Sequence, residues 1–228
     1  MTHRITLLLS LLFVAGLPAL PQVADGANSG YRTPEGRERV AHSLVRPGRD
    51  ATQLPEELVR QLHLKPGMTV ADIGTGAGYM LPYLSKAVGP GGTVLAEDIF
   101  DDFLTRAREK VAAEGLTNVK FVKGTEKTPN LPPSSVDVAL ALDSYHHYDY
   151  PDEMLAGLLA GLKPGGRLVI VDFYRRPDAM PRGNAMEHIR ADEAEVIREV
   201  EAAGFRFVSR REHIKGSQYM ATFVKQVQ

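Results

Sequence analysis

Residues 70–79 constrain the fold of this chain more than any other stretch. A short apolar run, Val70 to Ile73, carries a carboxylate at Asp72 and then breaks into three alternating glycines, Gly74, Gly76 and Gly78. The pattern predicts a strand, a tight turn and a helix from about Tyr79. Glycines there permit positive φ and let a ligand approach bare backbone, and the following helix aims free N–H groups at that ligand. A nucleotide-like cofactor suits such a turn.

The order of residues separates two kinds of cofactor. A dinucleotide fingerprint reads G-x-G-x-x-G, whereas this chain has G-x-G-x-G with Asp72 two residues ahead of the first glycine. Against a pyrophosphate that acid costs roughly 1 kcal/mol at about 4 Å in water, and about 4 at a surface-like dielectric. A cationic ligand reverses the sign. S-adenosylmethionine carries a sulfonium and an ammonium and no phosphate. Here the chain resembles the class I S-adenosylmethionine-dependent methyltransferases, whose first motif has the Asp-x-Gly-x-Gly-x-Gly form of Asp72 to Gly78. The resemblance implies that Asp72, Gly74, Thr75, Gly76 and Gly78 hold the cofactor.

The rest of the chain extends this pattern. Leu81, Leu84, Ala87 and Val88 recur at helical spacing, and a Gly-Pro-Gly-Gly run stops the helix before a second strand, Thr93 to Ala96. That strand ends in Glu97-Asp98, where a carboxylate accepts from both hydroxyls of a ribose. Asp98 is preferred because the family places its acid immediately before a residue such as Ile99, which joins the cofactor set. Strand alternation is expected to stop both acids from facing the ligand. A third strand, Asn118 to Val122, leads to Thr125 and Glu126, which the resemblance places near the adenine.

Ser135 to Leu142 reads as a buried fourth strand and delivers Asp143-Ser144-Tyr145-His146-His147-Tyr148 to the carboxyl edge of the sheet. Asp143 is a candidate for the methionine end of the cofactor. Tyr145, His146 and His147 are the catalytic candidates, since a neutral histidine takes a proton from an acceptor hydroxyl or amine; in an extended segment only one histidine faces the pocket. The alternative is that these aromatics pack a loop. A metal set of His146, His147, Asp149 and Asp152 lacks recognised ligand spacing, and no metal is expected. Further on, Lys163-Pro164-Gly165-Gly166 ends the helix opened at Pro151, and the strand Arg167 to Phe173 completes a second motif of the family. Asp172 at its end is either a substrate contact or a loop cap, and His188 and Arg190 are weaker substrate-side candidates. The chain closes with a helix from Asp192 and two strands, Phe205 to Ile214 and Gln218 to Val227.

Over residues 55–228 the reading is therefore an α/β, Rossmann-like, seven-stranded and mostly parallel sheet, with helices on both faces and an antiparallel last strand. The resemblance implies in-line transfer of a methyl group from S-adenosylmethionine to a small-molecule acceptor that no motif identifies. Two other classes stay open: a protein that binds the cofactor without transferring its methyl group, and a structural protein on the same fold.

Ahead of this unit, His3-Arg4 and the apolar run Ile5 to Leu17 have the layout of a secretory signal or N-terminal anchor over residues 1–27. It predicts export to the periplasm, or a cytoplasmic protein if the start codon is misassigned. Export conflicts with a cofactor made in the cytoplasm. The run is too short for a stable membrane span. Residues 28–54 are polar and arginine-rich and read by default as a solvated arm. In the family, arms at this point often fold over the cofactor, and Tyr31 or Arg49 then lines a substrate pocket. A net charge of −1 gives no reason to expect nucleic acid, and the absence of cysteine excludes disulfides and thiolate chemistry. Oligomeric state is not legible.

Overall fold

The computed structural model describes residues 23–226. Four short helices come first: α1 (Asp25–Asn28), α2 (Pro34–Leu44), α3 (Arg49–Gln53) and α4 (Pro55–Leu62). Proline in the first turn starts both α2 and α4, where its missing N–H costs nothing, and Thr33 caps α2 by accepting from the Gly36 N–H. Strands and helices then alternate as β1 (Thr69–Ile73), α5 (Leu81–Val88), β2 (Thr93–Asp98), α6 (Asp101–Ala113), β3 (Val119–Lys123), β4 (Val136–Leu142), α7 (Pro151–Gly161) and β5 (Leu162–Phe173). The chain ends with α8 (Ala185–His188), α9 (Glu193–Ala202), β6 (Phe205–Ile214) and β7 (Gln218–Lys225). Asp192 and Glu195 form a capping box on α9.

The seven strands lie in the order β3-β2-β1-β4-β5-β7-β6, with β1 to β5 parallel and β7 antiparallel to both of its neighbours. This is the expected sheet. Alternation sorts the strand residues onto its two faces: Val138, Leu140, Val169 and Val171 pack with α4, α5 and α6, whereas Ala139, Ala141, Leu168 and Ile170 pack with α7 and α9. Two cores on opposite faces hold the parallel strands as continuous apolar runs.

The boundaries depart from the sequence reading in two places. β5 begins at Leu162, because Leu162 already pairs with Val136; Lys163 to Gly166 then form a bulge, with Gly165 at φ +74°, and the ladder resumes at Arg167 opposite Val138. The leader expected over residues 1–27 lies outside the described residues as far as residue 22. Its last five residues belong to the folded body: Val23 and Ala24 donate to Asp149, and Ala24 and Ala27 are buried. Among the described residues, no helix is long and apolar enough to cross a membrane.

Candidate active site

Strand order reverses between β1 and β4, and ligands bind in the crevice that such a reversal opens at the carboxyl ends of the strands. A cavity of about 400 Å³ lies there, within the usual size of small-ligand sites. The glycine turn forms its floor. Gly74, Gly76 and Gly78 all have positive φ, and a side chain on Gly74 would meet Ser144 Cβ at 2.9 Å. The turn's donors are not free, contrary to the expectation that they face a ligand. Glu97 Oε2 accepts from the Gly74 N–H at 3.2 Å, the Glu97 carbonyl from Thr75 at 2.8 Å and Asp98 Oδ2 from Gly76 at 2.9 Å. Gly78 donates to the Thr75 carbonyl. A phosphate would find carboxylates here in place of N–H groups, which excludes a dinucleotide pose at this turn.

Among the acids that line the cavity, Asp72, Glu97, Asp98 and Asp143 are all largely buried. Desolvation raises their pKa values: Asp72 and Asp98 to about 6, Asp143 to about 7 with help from Asp172, and Glu97 well above the ordinary range with Asp98 adding to the effect. Both Glu97 and Asp98 reach the cavity, so the expectation that only one does is corrected. The strand ends at Asp98, and each acid captures a different N–H of the glycine turn. Glu97 Oε1 is buried with no partner. It lies where a Cβ on Gly124 would be, 1.8 Å away, so residue 124 has to be glycine for Glu97 to fit. Asp143 sits at φ +51°, a conformation that aspartate tolerates better than most residues, and accepts from Gln218 Nε2 at 2.6 Å. An acid-lined cavity fits a cationic, hydroxyl-bearing ligand such as S-adenosylmethionine. Asp98, with Ile99 beside it, could accept from a ribose there, and Asp72 and Asp143 line the same cavity.

The arm is folded onto the cavity through a few buried groups, although much of its surface faces solvent. Arg49 is buried, donates to the Leu44 carbonyl at 2.6 Å, lies 3.6 Å from Asp143 and stacks 3.9 Å above the Tyr79 ring. Asp50 accepts from the hydroxyls of Tyr79 and Tyr83, each at 2.8 Å. Arg37 donates to Asp102 on α6 at 2.6 Å and to the Tyr31 carbonyl. The Tyr31 ring thereby stands between Phe100, Phe103 and His147, making one aromatic wall of the cavity. The alternative in which Tyr31 and Arg49 line the pocket is the one observed.

Residues 145–147 form a single 3-10 turn, which separates the three catalytic candidates. Tyr145 is a correction: it is 1% exposed, packs in the core against Tyr148, and donates to Glu199 at 2.8 Å, away from the cavity. His146 is also withdrawn from the cavity wall, its Nδ1 2.7 Å from Asp172 Oδ1. His147 alone of the pair lines the cavity, as expected of one histidine. Its Nδ1 is 2.8 Å from Asn28 Oδ1, and its Nε2 lies 3.4 Å from the Tyr31 hydroxyl. Burial pushes the pKa of both histidines down, so both are neutral at pH 7.

Asp172 is neither a substrate contact nor a simple cap. It accepts from the His146 N–H and ring and from the Phe173 N–H, and it holds the histidine turn in place. Arg190 is occupied by both oxygens of Glu199, at 2.7 Å each. His188 instead meets His146 and His147, with ring centroids 5.0 and 5.4 Å away. Thr125 and Glu126 stand exposed at the rim, and the Thr125 hydroxyl accepts from Lys127 and Thr128 to close its own turn. Asp149, from the metal set that lacked ligand spacing, accepts from Ala24 and Asn28. Asn28 and Glu97 are the residues that the sequence reading missed. Asn28 carried no local signal, whereas Glu97 stood beside the favoured acid.

Comparison with known proteins follows the same outline. Residues 71–168 match the family model described as a methyltransferase domain. A crystal structure of a SAM-dependent methyltransferase from Aquifex aeolicus superposes with a TM-score of 0.76 at 32% identity, covering 85% of this chain and 98% of that one. The ubiquinone/menaquinone biosynthesis C-methyltransferase UbiE of Shewanella pealeana is 32% identical over 112 residues, 49% of this chain and 45% of that protein. UbiE of Burkholderia cenocepacia is 28% identical over 124 residues, 54% of this chain and 51% of that protein. The chain thus spans about half the length of the curated relatives it matches. The identity shared with the Aquifex structure over nearly all of its length, on a fold whose acid-lined glycine turn suits the same cofactor, establishes that this chain belongs to the SAM-dependent methyltransferases.

Proposed function

We propose that this chain moves the methyl group of S-adenosylmethionine to a small hydroxylated aromatic acceptor, at carbon or oxygen. The observation that carries the proposal is one cavity lined both by the acid-bearing glycine turn and by His147 with the rings of Tyr31, Phe100 and Phe103. Aromatic rings on one wall favour a flat acceptor, and the names of the UbiE relatives point to a ring carbon as one destination. When bound, the cofactor supplies an electrophilic methyl on a good leaving group, so alignment carries much of the barrier. The residues of this chain bind and aim. Asp72, Asp98 and Asp143 hold the charged and ribose ends, α2 and α3 cover the cavity and exclude water, and Arg49 keeps Asp143 in place.

His147 receives the acceptor's proton at Nε2. Asn28 sets this up: its amide nitrogen donates to the His147 carbonyl and to Asp149, which leaves its oxygen for the ring. That oxygen can only accept, so Nδ1 carries the proton and Nε2 keeps the lone pair. The test is incubation of the full chain with methyl-labelled S-adenosylmethionine and a panel of hydroxylated aromatic acceptors, read by mass spectrometry. A labelled methylated product is expected, and His147→Ala should lower kcat by more than about tenfold with cofactor affinity unchanged. Cofactor binding with no product from any acceptor would overturn the proposal. Equal loss of kcat and cofactor affinity in His147→Ala would remove the base role.

A further inference from the structure

Three histidines from distant positions in sequence, His146 and His147 on the 3-10 turn and His188 on α8, bring one ring nitrogen each within 4.8 Å of one another. A chance cluster would leave its rings free to turn, but two of these are fixed from behind. His146 Nδ1 faces Asp172 Oδ1 at 2.7 Å, an oxygen that also takes the Phe173 N–H. His147 Nδ1 faces Asn28 Oδ1 at 2.8 Å, and Asn28 in turn donates to Asp149 Oδ2 at 3.0 Å. Both acceptors force the proton onto Nδ1, so each ring keeps its lone pair on Nε2. Imidazoles backed in this way by a carboxylate, directly or through an amide, are the arrangement that orients histidine ligands on a metal.

We propose that His146, His147 and His188 bind one divalent first-row metal ion, zinc or a close neighbour, behind the cavity wall that His147 lines, leaving a fourth position open. Three neutral nitrogens with an open position match the ligand type of catalytic zinc sites, and imidazole suits zinc, copper, nickel and iron. Bonds of about 2.0–2.1 Å in a tetrahedral shell set ligand nitrogens roughly 3.3 Å apart. From a separation of up to 4.8 Å the rings must close, and His188, half-buried on a four-residue helix, is the ring placed to move. The Tyr31 hydroxyl, 3.4 Å from His147 Nε2, would yield that lone pair to the ion. With the ion bound, His147 Nε2 is a ligand and no longer the base, so the open position would take an acceptor hydroxyl as its oxyanion, with the proton released to water. This last step rests on the methyl-transfer reading, whereas metal binding does not.

The test uses untagged, metal-stripped full chain titrated with Zn2+ by calorimetry and with Co2+ by visible absorption, without S-adenosylmethionine. One ion per chain at micromolar affinity is expected, with the d–d band of nitrogen-coordinated Co2+. His188→Ala should weaken binding by more than 100-fold, and Asn28→Ala, which removes only the group behind His147, by about 10–100-fold. His42→Ala, at an exposed histidine outside the cluster, should change nothing. No stoichiometric binding at micromolar ion, or full affinity retained in a folded His188→Ala variant, would overturn the metal site. Methyl transfer by stripped protein at the full rate would show that the ion, if bound, does not activate the acceptor. A Zn2+-binding chain that transfers no methyl group would leave the site standing and sink the methyl-transfer reading.

Discussion

Replacing Asp98 by alanine removes a group with two jobs. Its Oδ1 accepts from the Phe100 N–H and its Oδ2 from the Gly76 N–H, both at 2.9 Å, and it is 5% exposed. Stranding two N–H groups costs about 1–3 kcal/mol each. Against this, burial has moved the Asp98 pKa from 3.8 to about 6, so the folded protein without cofactor carries a carboxylate disfavoured by about 3 kcal/mol at neutral pH. The two terms are of similar size and opposite sign. Asp98→Ala should therefore leave the melting temperature of the cofactor-free protein within a few degrees of the parent at pH 7. Affinity for S-adenosylmethionine should fall more than tenfold, about 1.4 kcal/mol, from loss of a charge-assisted ribose contact. Thermal melts and calorimetric titration read the two effects separately. Collapse of the cofactor-free variant would refute the compensation, and unchanged affinity in a folded variant would remove Asp98 from the site.

Gly76 has φ +55°, and a Cβ there would stand 2.7 Å from Leu44 Cδ1 on α2. Gly76→Ala should cost about 1–2 kcal/mol in backbone strain, push α2 outward and speed limited proteolysis within residues 34–53; an unchanged cleavage pattern would contradict the fit of the arm on the turn. Gly124→Ala should destabilise by about 1–3 kcal/mol through its collision with Glu97, and Glu97→Ala should rescue much of that loss; simple additivity would show that the two residues are not coupled. The pH dependence follows from Asp72 and Asp98 at about 6 and Asp143 at about 7, faced by Glu97, Tyr31 and the Arg49 guanidinium. Without cofactor these carboxyls hold protons that the unfolded chain releases near pH 4, so stability should fall as pH rises toward 7. A cationic ligand favours the ionised forms, so its affinity should rise over the same window and binding at pH 6 should release protons. Proton uptake, read from calorimetry in buffers of different ionisation enthalpy, would contradict the acid-lined site.

The sheet was legible because its information is local. The apolar runs at Val70, Val136 and Leu168, the prolines that open α4 and α7, and the Asp192 cap each act within a few residues of themselves. The cofactor end was legible for a related reason: glycine turn and strand-end acid are both fixed by the β-α-β unit that contains them. What could not be read is long-range. Whether Glu97 reaches the turn depends on Gly74 and on the space left by Gly124, and no periodicity encodes either. The arm looked solvated because its polar groups, Arg37, Arg49 and Asp50, find their partners at Asp102, Asp143, Tyr79 and Tyr83, far along the chain. Tyr145 was misassigned because a tight 3-10 turn, not an extended segment, carries it, and the turn sends Tyr145 to the core and His147 to the cavity. His188 joined its two partners only through the fold.

The cofactor can be tested alone, ahead of any acceptor. Calorimetric titration of the full chain with S-adenosylmethionine, with adenosylhomocysteine and NAD as comparators, is that measurement. Micromolar binding of the first two and none of NAD is expected, because the glycine turn spends its N–H groups on Glu97 and Asp98 and presents carboxylates in their place. Binding of NAD, or no binding of S-adenosylmethionine by the folded chain, would contradict the assignment of the cavity.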